Sequence, residues 1–247
     1  MKTNEMAKIS AMKTSATKTS GSKERSLTRA RGRSGRPPRE LAGEVEERIL
    51  DAARKVFLKR GFEGASIGEI ADVARSGKPT IYARFHGKKA LFTAAVTGYV
   101  IAKQGRLENY SPSGTTIGER LANIGAAVLH EALTAEWIDL LRLSIAEARR
   151  FPDLGNIVMG VTRERGTATM TRLLGEVVDS GQVETLPAFS PDRLAMTARY
   201  FVDLILLPKL LRALSGEPLK TLHAEIASHV SQRVAFFLSA CRNGSIE

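Results

Sequence analysis

The sequence predicts an all-α fold in which a small N-terminal helix-turn-helix domain is followed by a larger helical domain. Apolar residues recur at helical spacing from about residue 44 onward, and no stretch of useful length alternates as a β-strand does. Breaks rich in Gly, Pro and Ser, such as "NYSPSGTT" and "SGQVETLPAFSPDR", separate these periodic stretches. We therefore divide the chain into residues 1–40, 41–95 and 96–247.

Residues 1–40 form a basic segment with eleven Lys and Arg residues against three Glu, which is +8 of the formal net charge of +11. Its few apolar residues cannot offset the entropy lost on folding, so we predict that the segment is disordered. Within it, Arg33 and Arg36 stand beside Gly35 and Pro37, a pattern that resembles arms that enter the DNA minor groove. An ordinary solvated basic tail is the alternative interpretation.

The composition also narrows the class of partner and the compartment. The positive net charge favours a polyanionic partner, and the absence of a basic amphipathic helix with an aromatic face favours nucleic acid over a membrane. The single cysteine, Cys241, excludes an intramolecular disulfide and fits a reducing compartment. No run approaches the roughly 18 apolar residues of a membrane span. We expect a soluble cytoplasmic protein that associates with the nucleoid.

No pattern in the sequence predicts catalysis or a metal site. The histidines are scattered, and His223 and His229 would lie about 120° apart around a helix, unlike a metal-binding pair at i and i+4. The sequence contains neither a Gly-rich phosphate loop nor a Gly-x-Ser-x-Gly turn. We therefore predict that the protein is not an enzyme and needs no metal or cofactor.

The first two helices of the N-terminal domain have recognisable ends. Apolar periodicity from Glu44 predicts a long first helix, and Gly61 stands where a left-handed C-terminal cap is expected. Ser66 and Glu69 then have the spacing of a capping box, which predicts the start of a short second helix that ends near Ala74.

The segment Ser76–Phe92, "SGKPTIYARFHGKKALF", is rich in basic side chains and contains no acid. Gly77 predicts a tight turn, after which a third short helix runs to about Phe85 and a fourth, longer helix begins near Gly87. Two short helices joined by a tight turn are the signature of a helix-turn-helix motif.

The third helix should bury Ile81 and Phe85, and Pro79 fits its first turn because the missing N–H matters little there. The opposite face suits a major groove, where Lys78 could donate to guanine and the methyl group of Thr80 could meet thymine. A solvated basic face is the alternative. The predicted DNA contacts come from Arg33, Arg36, Ser66, Lys78, Pro79, Thr80, Tyr82, Arg84 and Lys88.

The stretch "RILDAARKVFLKRGFEGASIGEIADVARSGKPTIYARFHGKKALFTAAV" resembles the N-terminal domain of the tetracycline-repressor (TetR) family of bacterial regulators. The resemblance covers about residues 44–95. It implies that Lys78, Thr80, Tyr82 and Lys88 match positions that commonly touch DNA.

The chain departs from this family at the turn of the motif. Family members usually read Ala-Gly-Val-Ser there, whereas this chain reads Ala74, Arg75, Ser76 and Gly77. Glycine is an acceptable N-cap, and Ser76 is an alternative cap one residue earlier. The departure predicts a recognition helix that differs at its entrance from the family pattern.

The resemblance also implies a helical domain for ligand binding and dimerisation from about residue 100. Helices predicted at about 191–214 and 218–240 carry an excess of apolar positions that suits a four-helix seam between two subunits, with a monomeric core as the alternative. Residues that could line a ligand cavity, although each is commonly plain core or surface, are Trp137, Leu141, Met159, Arg163, Met170 and Phe201.

These features together predict a homodimeric regulator that binds palindromic double-stranded DNA and releases it when an unidentified small-molecule inducer binds. Repression is the commoner mode in the family. An architectural or weakly sequence-specific DNA-binding protein without an inducer is the alternative, but it would not need the larger domain of residues 96–247. We expect no membrane partner.

Overall fold

The computed structural model describes residues 39–179 and 186–242. Both ranges are helical and contain no β-strand, so the predicted all-α fold is confirmed. A 3-10 turn spans Pro187–Phe189. The α-helices are α1 (Arg39–Gly64), α2 (Ile67–Val73), α3 (Lys78–Tyr82), α4 (Lys88–Glu108), α5 (Ile117–Ala132), α6 (Ala135–Glu147), α7 (Pro152–Asp179), α8 (Leu194–Leu214), α9 (Leu219–Ala224) and α10 (Ile226–Arg242).

The ends of α1 and α2 follow the local signals in the sequence. Gly61, with a φ of 70° and a ψ of 176°, interrupts the helical backbone of α1 where the sequence predicts a helix end, but its extended ψ is not that of the predicted left-handed cap. The Ser66 Oγ accepts a hydrogen bond from the N–H of Glu69 at 3.0 Å, so Ser66 is the N-cap of α2. The carboxylate of Glu69 accepts from the Nε of Arg60 at 3.1 Å. Only the Ser66 half of the predicted capping box is therefore found among the described contacts.

Three predicted helix boundaries are wrong by a few residues. The short helix α3 ends at Tyr82 rather than Phe85, and the chain then turns toward Gly87, which has a φ of 95°. The start of α8 is delayed to residue 194 because the N–H of Arg193 bonds back to the carbonyl of Ser190 at 3.0 Å. The predicted helix over 218–240 is broken between α9 and α10 at Glu225, where the hydrogen bonding tightens to a three-residue turn.

A first hydrophobic cluster joins α1, α2, α3 and α4. Its centre is aromatic: the ring centroids of Phe57 and Phe92 lie 4.9 Å apart, and those of Phe62 and Phe92 lie 5.4 Å apart, both in edge-on contacts. Helix α6 completes this cluster with buried side chains that include Trp137 and Leu140. The N-terminal helices therefore pack against buried side chains of α6.

A second hydrophobic cluster joins α5, α7, α8, α9 and α10. Phe201 of α8 and Phe237 of α10 pack edge-on at its centre, with ring centroids 5.1 Å apart. Both clusters lie within one compact unit, residues 38–247. The division of the chain near residue 95 therefore stays a prediction.

Helix α4 is the element that both clusters share. Leu91 and Val96 are buried in the first cluster, whereas Leu107 packs against the second. A helix of 21 residues is about 30 Å long, and α4 is continuous over that length. It provides a direct mechanical connection between the helix-turn-helix and the larger helical part.

Candidate DNA interface and effector cavity

The short helix α3 is held by two apolar side chains on its inner side. Ile81 is fully buried and Phe85, just beyond the end of the helix, is 7% exposed. On the opposite side, Lys78 is exposed and the ring of Tyr82 is 54% exposed. The predicted burial of Ile81 and Phe85 and the predicted exposure of Lys78 are confirmed. The arrangement presents polar side chains on a helix whose position is set by the core beneath it.

Lys78 lies across the first turn of the preceding helix. A Cβ built at Gly68 of α2 would stand 3.2 Å from the Cε of Lys78 and 3.3 Å from its Nζ. The same Cβ would stand 3.6 Å from the Oγ of Ser66, so the ammonium and the hydroxyl lie at the same edge of the motif. The absence of a side chain at Gly68 therefore makes room for Lys78. The sequence contained no signal for this contact between α2 and α3.

The remaining predicted side chains of α3 differ in exposure. Pro79 is exposed in the first turn, as predicted, and Thr80 is half-buried. The Nη1 of Arg84 donates to the carbonyl oxygen of Thr80 at 3.3 Å, which folds this half-buried side chain back along the helix. Arg33 and Arg36 lie outside the described residues.

Lys88, at the start of α4, has two hydrogen-bond acceptors within the protein. Its Nζ donates to the carbonyl oxygens of Glu63 and Ala65, both at 3.1 Å. The ammonium also lies 4.8 Å from the ring centroid of Phe62, within cation–π distance. Lys88 therefore joins α4 to the chain that leaves α1, a structural role that sequence reasoning missed. Because an ammonium carries three hydrogens, a phosphate contact by the third stays a prediction.

The turn between α2 and α3 is a left-handed helix cap. The N–H of Ser76 bonds to the carbonyl of Ala71 at 2.9 Å. Arg75, the residue just before Ser76, has a φ of 49°. This is the Schellman arrangement, in which the left-handed position is usually glycine. The N-cap of α3 is Gly77, without a side-chain hydrogen bond, so the alternative cap at Ser76 is wrong.

The chain from this turn to the start of α4 is rich in basic side chains. From Ala74 to Phe92 the chain has no Asp or Glu, while Arg75, Lys78 and Lys89 are exposed on it. Such a surface creates a positive field that attracts a polyanion. The basic side chains that create this field flank or belong to α3, so its exposed side lies within the field.

A cavity of about 140 Å³ lies between α4, α5, α6, α7 and α8. Of the predicted lining residues, Trp137 and Met170 border it. Leu141 instead packs in the first hydrophobic cluster, and Phe201 packs in the second. The side chains of Met159 and Arg163 lie outside the described residues. The cavity is lined by Val100, Lys103, Leu107, Val128, Glu131, Ala132, Trp137, Gly166, Thr169, Met170, Val202 and Leu206.

The charged groups that border this cavity are bound to each other. The Nζ of Lys103 donates to the backbone carbonyl of Glu131 and, at 2.9 Å, to the Oγ1 of Thr134. It also lies 3.7 Å from the Glu131 carboxylate, which Arg106 approaches to 3.4 Å from the outside. Burial of Lys103 lowers its pKa from the ordinary value. The aliphatic stem of Lys103 and the ring of Trp137 therefore offer the cavity mainly apolar surface.

Helices α8 and α10 expose large apolar side chains. Leu207 and Leu211, one helical turn apart on α8, are 45% and 62% exposed, and Tyr200 lies two turns before Leu207 on the same side. Phe236 of α10 is 67% exposed. Apolar side chains at this spacing form a stripe on a surface, which is typical of a helix that packs against a partner.

Within residues 39–179 and 186–242, no group of three or more His, Cys, Asp or Glu side chains could hold a metal ion. Burial raises the pKa of the Cys241 thiol to about 11, so this side chain is a protonated core residue rather than a nucleophile. The described helices also include none that is long and apolar enough to cross a membrane.

Two family models match most of the chain. Residues 49–95 match the bacterial regulatory proteins of the tetR family, and residues 119–242 match the C-terminal domain of AefR-like transcriptional repressors. The chain belongs to the TetR family of transcriptional regulators. The helix-turn-helix described above is therefore the DNA-binding module of a transcriptional regulator.

Sequence relatives agree with this assignment over part of the chain. The chain is 29% identical over 114 residues to the HTH-type transcriptional regulator YvkB of Bacillus subtilis, which is 46% of this chain and 58% of YvkB. It is 28% identical over 98 residues to the HTH-type transcriptional repressor BdcR of Escherichia coli, which is 40% of this chain and 48% of BdcR. The matches thus span about half the length of these relatives.

Solved structures share the fold over a larger part of the chain. A TetR-family regulator from Mesorhizobium loti superposes with a TM-score of 0.71 at 23% identity, covering 81% of this chain and 97% of that one. The regulator FrrA superposes with a TM-score of 0.59 at 24% identity, covering 80% of this chain and 97% of FrrA. The arrangement of helices is therefore that of a TetR-family protein beyond the helix-turn-helix as well.

Proposed function

We propose that this regulator is a homodimeric repressor that binds a palindromic operator and releases it when a small molecule occupies the cavity between α4 and α8. The observation that carries the proposal is the outward face of α3. Ile81 fixes the helix from below, while the opposite side presents Lys78 and Tyr82 beside a surface without acids from residue 74 to 92.

The proposed DNA contacts divide by chemistry. The exposed Lys78 and the half-buried Thr80 stand at the start of α3, where recognition helices reach base edges in the major groove. Tyr82 and Lys88 are suited to phosphate oxygens, which fix the register of the protein on the duplex. Ser66 shares the edge of Lys78, and its hydroxyl can donate to a phosphate while its oxygen caps α2. Arg84 is the weakest of the set because its guanidinium is drawn back onto Thr80.

The stripe of Tyr200, Leu207, Leu211 and Phe236 supports the proposed dimer. An exposed apolar stripe on two neighbouring helices is a costly surface for a monomer in water. Pairing α8 and α10 with the same helices of a second copy would bury it in a two-fold, self-complementary interface. The two copies of α3 could then face successive half-sites of one duplex.

The cavity supports the proposed response to a small molecule. Its volume of about 140 Å³ is close to that of engineered cavities that bind benzene. Among the described side chains at its border, the charges of Lys103 and Glu131 are already paired with each other, so neither offers a charged ligand a free partner in return for its lost hydration. We propose an uncharged, mainly apolar effector. Helix α4 borders the cavity and begins at Lys88, so displacement of α4 by the effector would reach the helix-turn-helix.

Repression rather than activation is supported by the similarity of residues 119–242 to AefR-like repressors. The alternative is an architectural DNA-binding protein, and selection of bound sequences from a pool of random duplexes separates the two. We expect the purified full-length protein to enrich a palindrome with half-sites about one helical turn apart. A featureless pool after several rounds would support the architectural protein instead.

A matched variant locates the base contacts within that experiment. Thr80→Ser keeps the hydroxyl and removes the methyl group that we place near thymine. We expect the variant to select the same palindrome with weakened preference at one base pair in each half-site. An identical preference at every position would show that Thr80 does not read the sequence.

A further inference from the structure

The turn of the helix-turn-helix holds a residue in a conformation that it adopts at a cost. Arg75 has a φ of 49° and is the one non-glycine residue with a positive φ in residues 39–179 and 186–242. For a residue with a Cβ, the left-handed conformation is unfavourable because the Cβ approaches the following carbonyl oxygen. Glycine avoids this contact and is the common residue at this position of a Schellman cap.

The chain has a glycine close to the strained position, but not at it. Two residues later, Gly77 has φ −74° and ψ 144°, which any residue can adopt. A Cβ at Gly77 would approach no atom closer than 3.5 Å, so a larger residue also fits there. The turn thus has glycine at position 77, where any residue fits, and arginine at position 75, where glycine is favoured. A turn with glycine at position 75 would be more stable.

The side chain of Arg75 makes no contribution to the fold that would offset this strain. Its backbone N–H bonds to the carbonyl of Asp72 at 3.2 Å, but within the described residues its guanidinium has neither a hydrogen bond nor an ion pair. Of the two nearby acids, Glu69 is paired with Arg60, and the exposed Asp72 forms no ion pair with Arg75 within the described residues. Arg75 therefore presents an exposed guanidinium whose five N–H donors have no partner among the described residues.

The position of Arg75 in the motif indicates what it meets. In a helix-turn-helix the first helix crosses the DNA backbone and the second enters the major groove by its N-terminal end. The turn between them therefore lies at the rim of the groove, next to phosphates rather than base edges. Arg75 stands two residues before the N-cap of α3, Gly77, whose lack of a side chain leaves the approach open.

We propose that Arg75 binds a DNA phosphate at the rim of the major groove, and that this contact is the reason for the strained turn. The proposal rests on the proposed DNA binding through α3 and adds a residue to that interface. Each subunit would contribute one such contact, so a dimer on its operator would make two. Arg75 would raise affinity for every sequence without choosing among them.

The variants Arg75→Gly and Arg75→Lys separate this role from a structural one. Glycine relieves the strained φ, so we expect Arg75→Gly to raise the Tm of the full-length protein by about 2–4 °C. The same change should weaken binding to the selected operator duplex by about tenfold per subunit. It should also lower the slope of log affinity against log salt by about two for the dimer. Arg75→Lys keeps the charge and should keep most of the affinity and slope.

Arg242→Gly is the matched control, because it removes an exposed arginine at the far end of α10. We expect its salt slope to equal that of the unchanged protein. A more stable Arg75→Gly variant with unchanged affinity and slope would overturn the proposed phosphate contact. An unchanged Tm would overturn the claim of strain. If the unchanged protein itself shows no salt-dependent binding to duplex DNA, the proposed function fails, which is a distinct result.

Discussion

Replacing Lys88 with methionine removes the ammonium group that joins the start of α4 to the end of α1. In the structure this group donates to the carbonyl oxygens of Glu63 and Ala65 at 3.1 Å each and lies 4.8 Å from the ring centroid of Phe62. Methionine keeps a flexible stem of similar length, so the variant removes the charge and donors rather than the packing. The lost contacts all connect the helix-turn-helix to the helix that leaves it.

The magnitude follows from the exposure of each contact. The carbonyl of Glu63 is exposed and can bond to water instead, so its loss contributes little. The carbonyl of Ala65 is partly buried, and losing its charged donor should reduce the free energy of unfolding by about 1–2 kcal/mol. The cation–π contact adds about 0.5–1 kcal/mol. The total of about 1.5–3 kcal/mol corresponds to a Tm lower by roughly 3–12 °C.

Thermal unfolding followed by circular dichroism measures this loss, and Lys59→Met is the control. Lys59 is exposed on α1 and carries the same charge. We expect Lys59→Met to change the free energy of unfolding by no more than about 0.5 kcal/mol, as most exposed substitutions do. Equal Tm values for the two variants would refute the structural role of Lys88. DNA titrations well below both Tm values then test its phosphate contact, which predicts a salt slope lower by about one per subunit.

Three further outcomes follow from the larger helical part. Leu211→Glu should leave the helical content unchanged but convert the dimer to monomers in sedimentation, and a persistent dimer would exclude α8 from the interface. Ala132→Leu should fill the cavity, so toluene should no longer raise the Tm of this variant. Toluene should still raise the Tm of the unchanged protein and of Ala146→Leu, a control at an exposed position. Equal shifts in all three proteins would place the probe elsewhere. Arg212 holds the pKa of Glu225 at about 2, below its ordinary 4.5, so this carboxylate stabilises the protein above about pH 4.5. That stability should be lost as the pH falls toward 2, so Glu225→Gln should weaken the dependence of Tm on pH in this acid range. Identical Tm–pH curves for the variant and the unchanged protein would contradict the pairing.

The features that the sequence alone predicts well are local ones. Gly61 after a long apolar period indicates a helix end, and Ser66 before a second period indicates a helix start, because caps depend on residues within one turn. The burial of Ile81 follows from the same periodicity. These signals were enough to identify the helix-turn-helix and its outward face.

Contacts between distant segments could not be predicted in this way. The acceptors of Lys88 are backbone carbonyls 23 and 25 residues earlier in the chain. Because every residue has a backbone carbonyl, residue type does not show which carbonyls accept a hydrogen bond, and the sequence suggests a free cation. The positive φ of Arg75 is not predictable from residue type, because this position of the cap is usually glycine and the nearest glycine, Gly77, lies two residues later. Among the cavity residues, Trp137 was predicted and Lys103 was missed, because residue type does not reveal which side of a helix meets a void.

The spacing between half-sites tests the proposed dimer most directly. Once an operator has been selected, duplexes with about five or about ten extra base pairs at its centre can be titrated with the full-length protein. Half a helical turn places the second half-site on the opposite side of the duplex, so we expect affinity to fall by about 100-fold or more with five base pairs. Equal affinity for all spacings would contradict a dimer that presents two copies of α3 to one face of DNA.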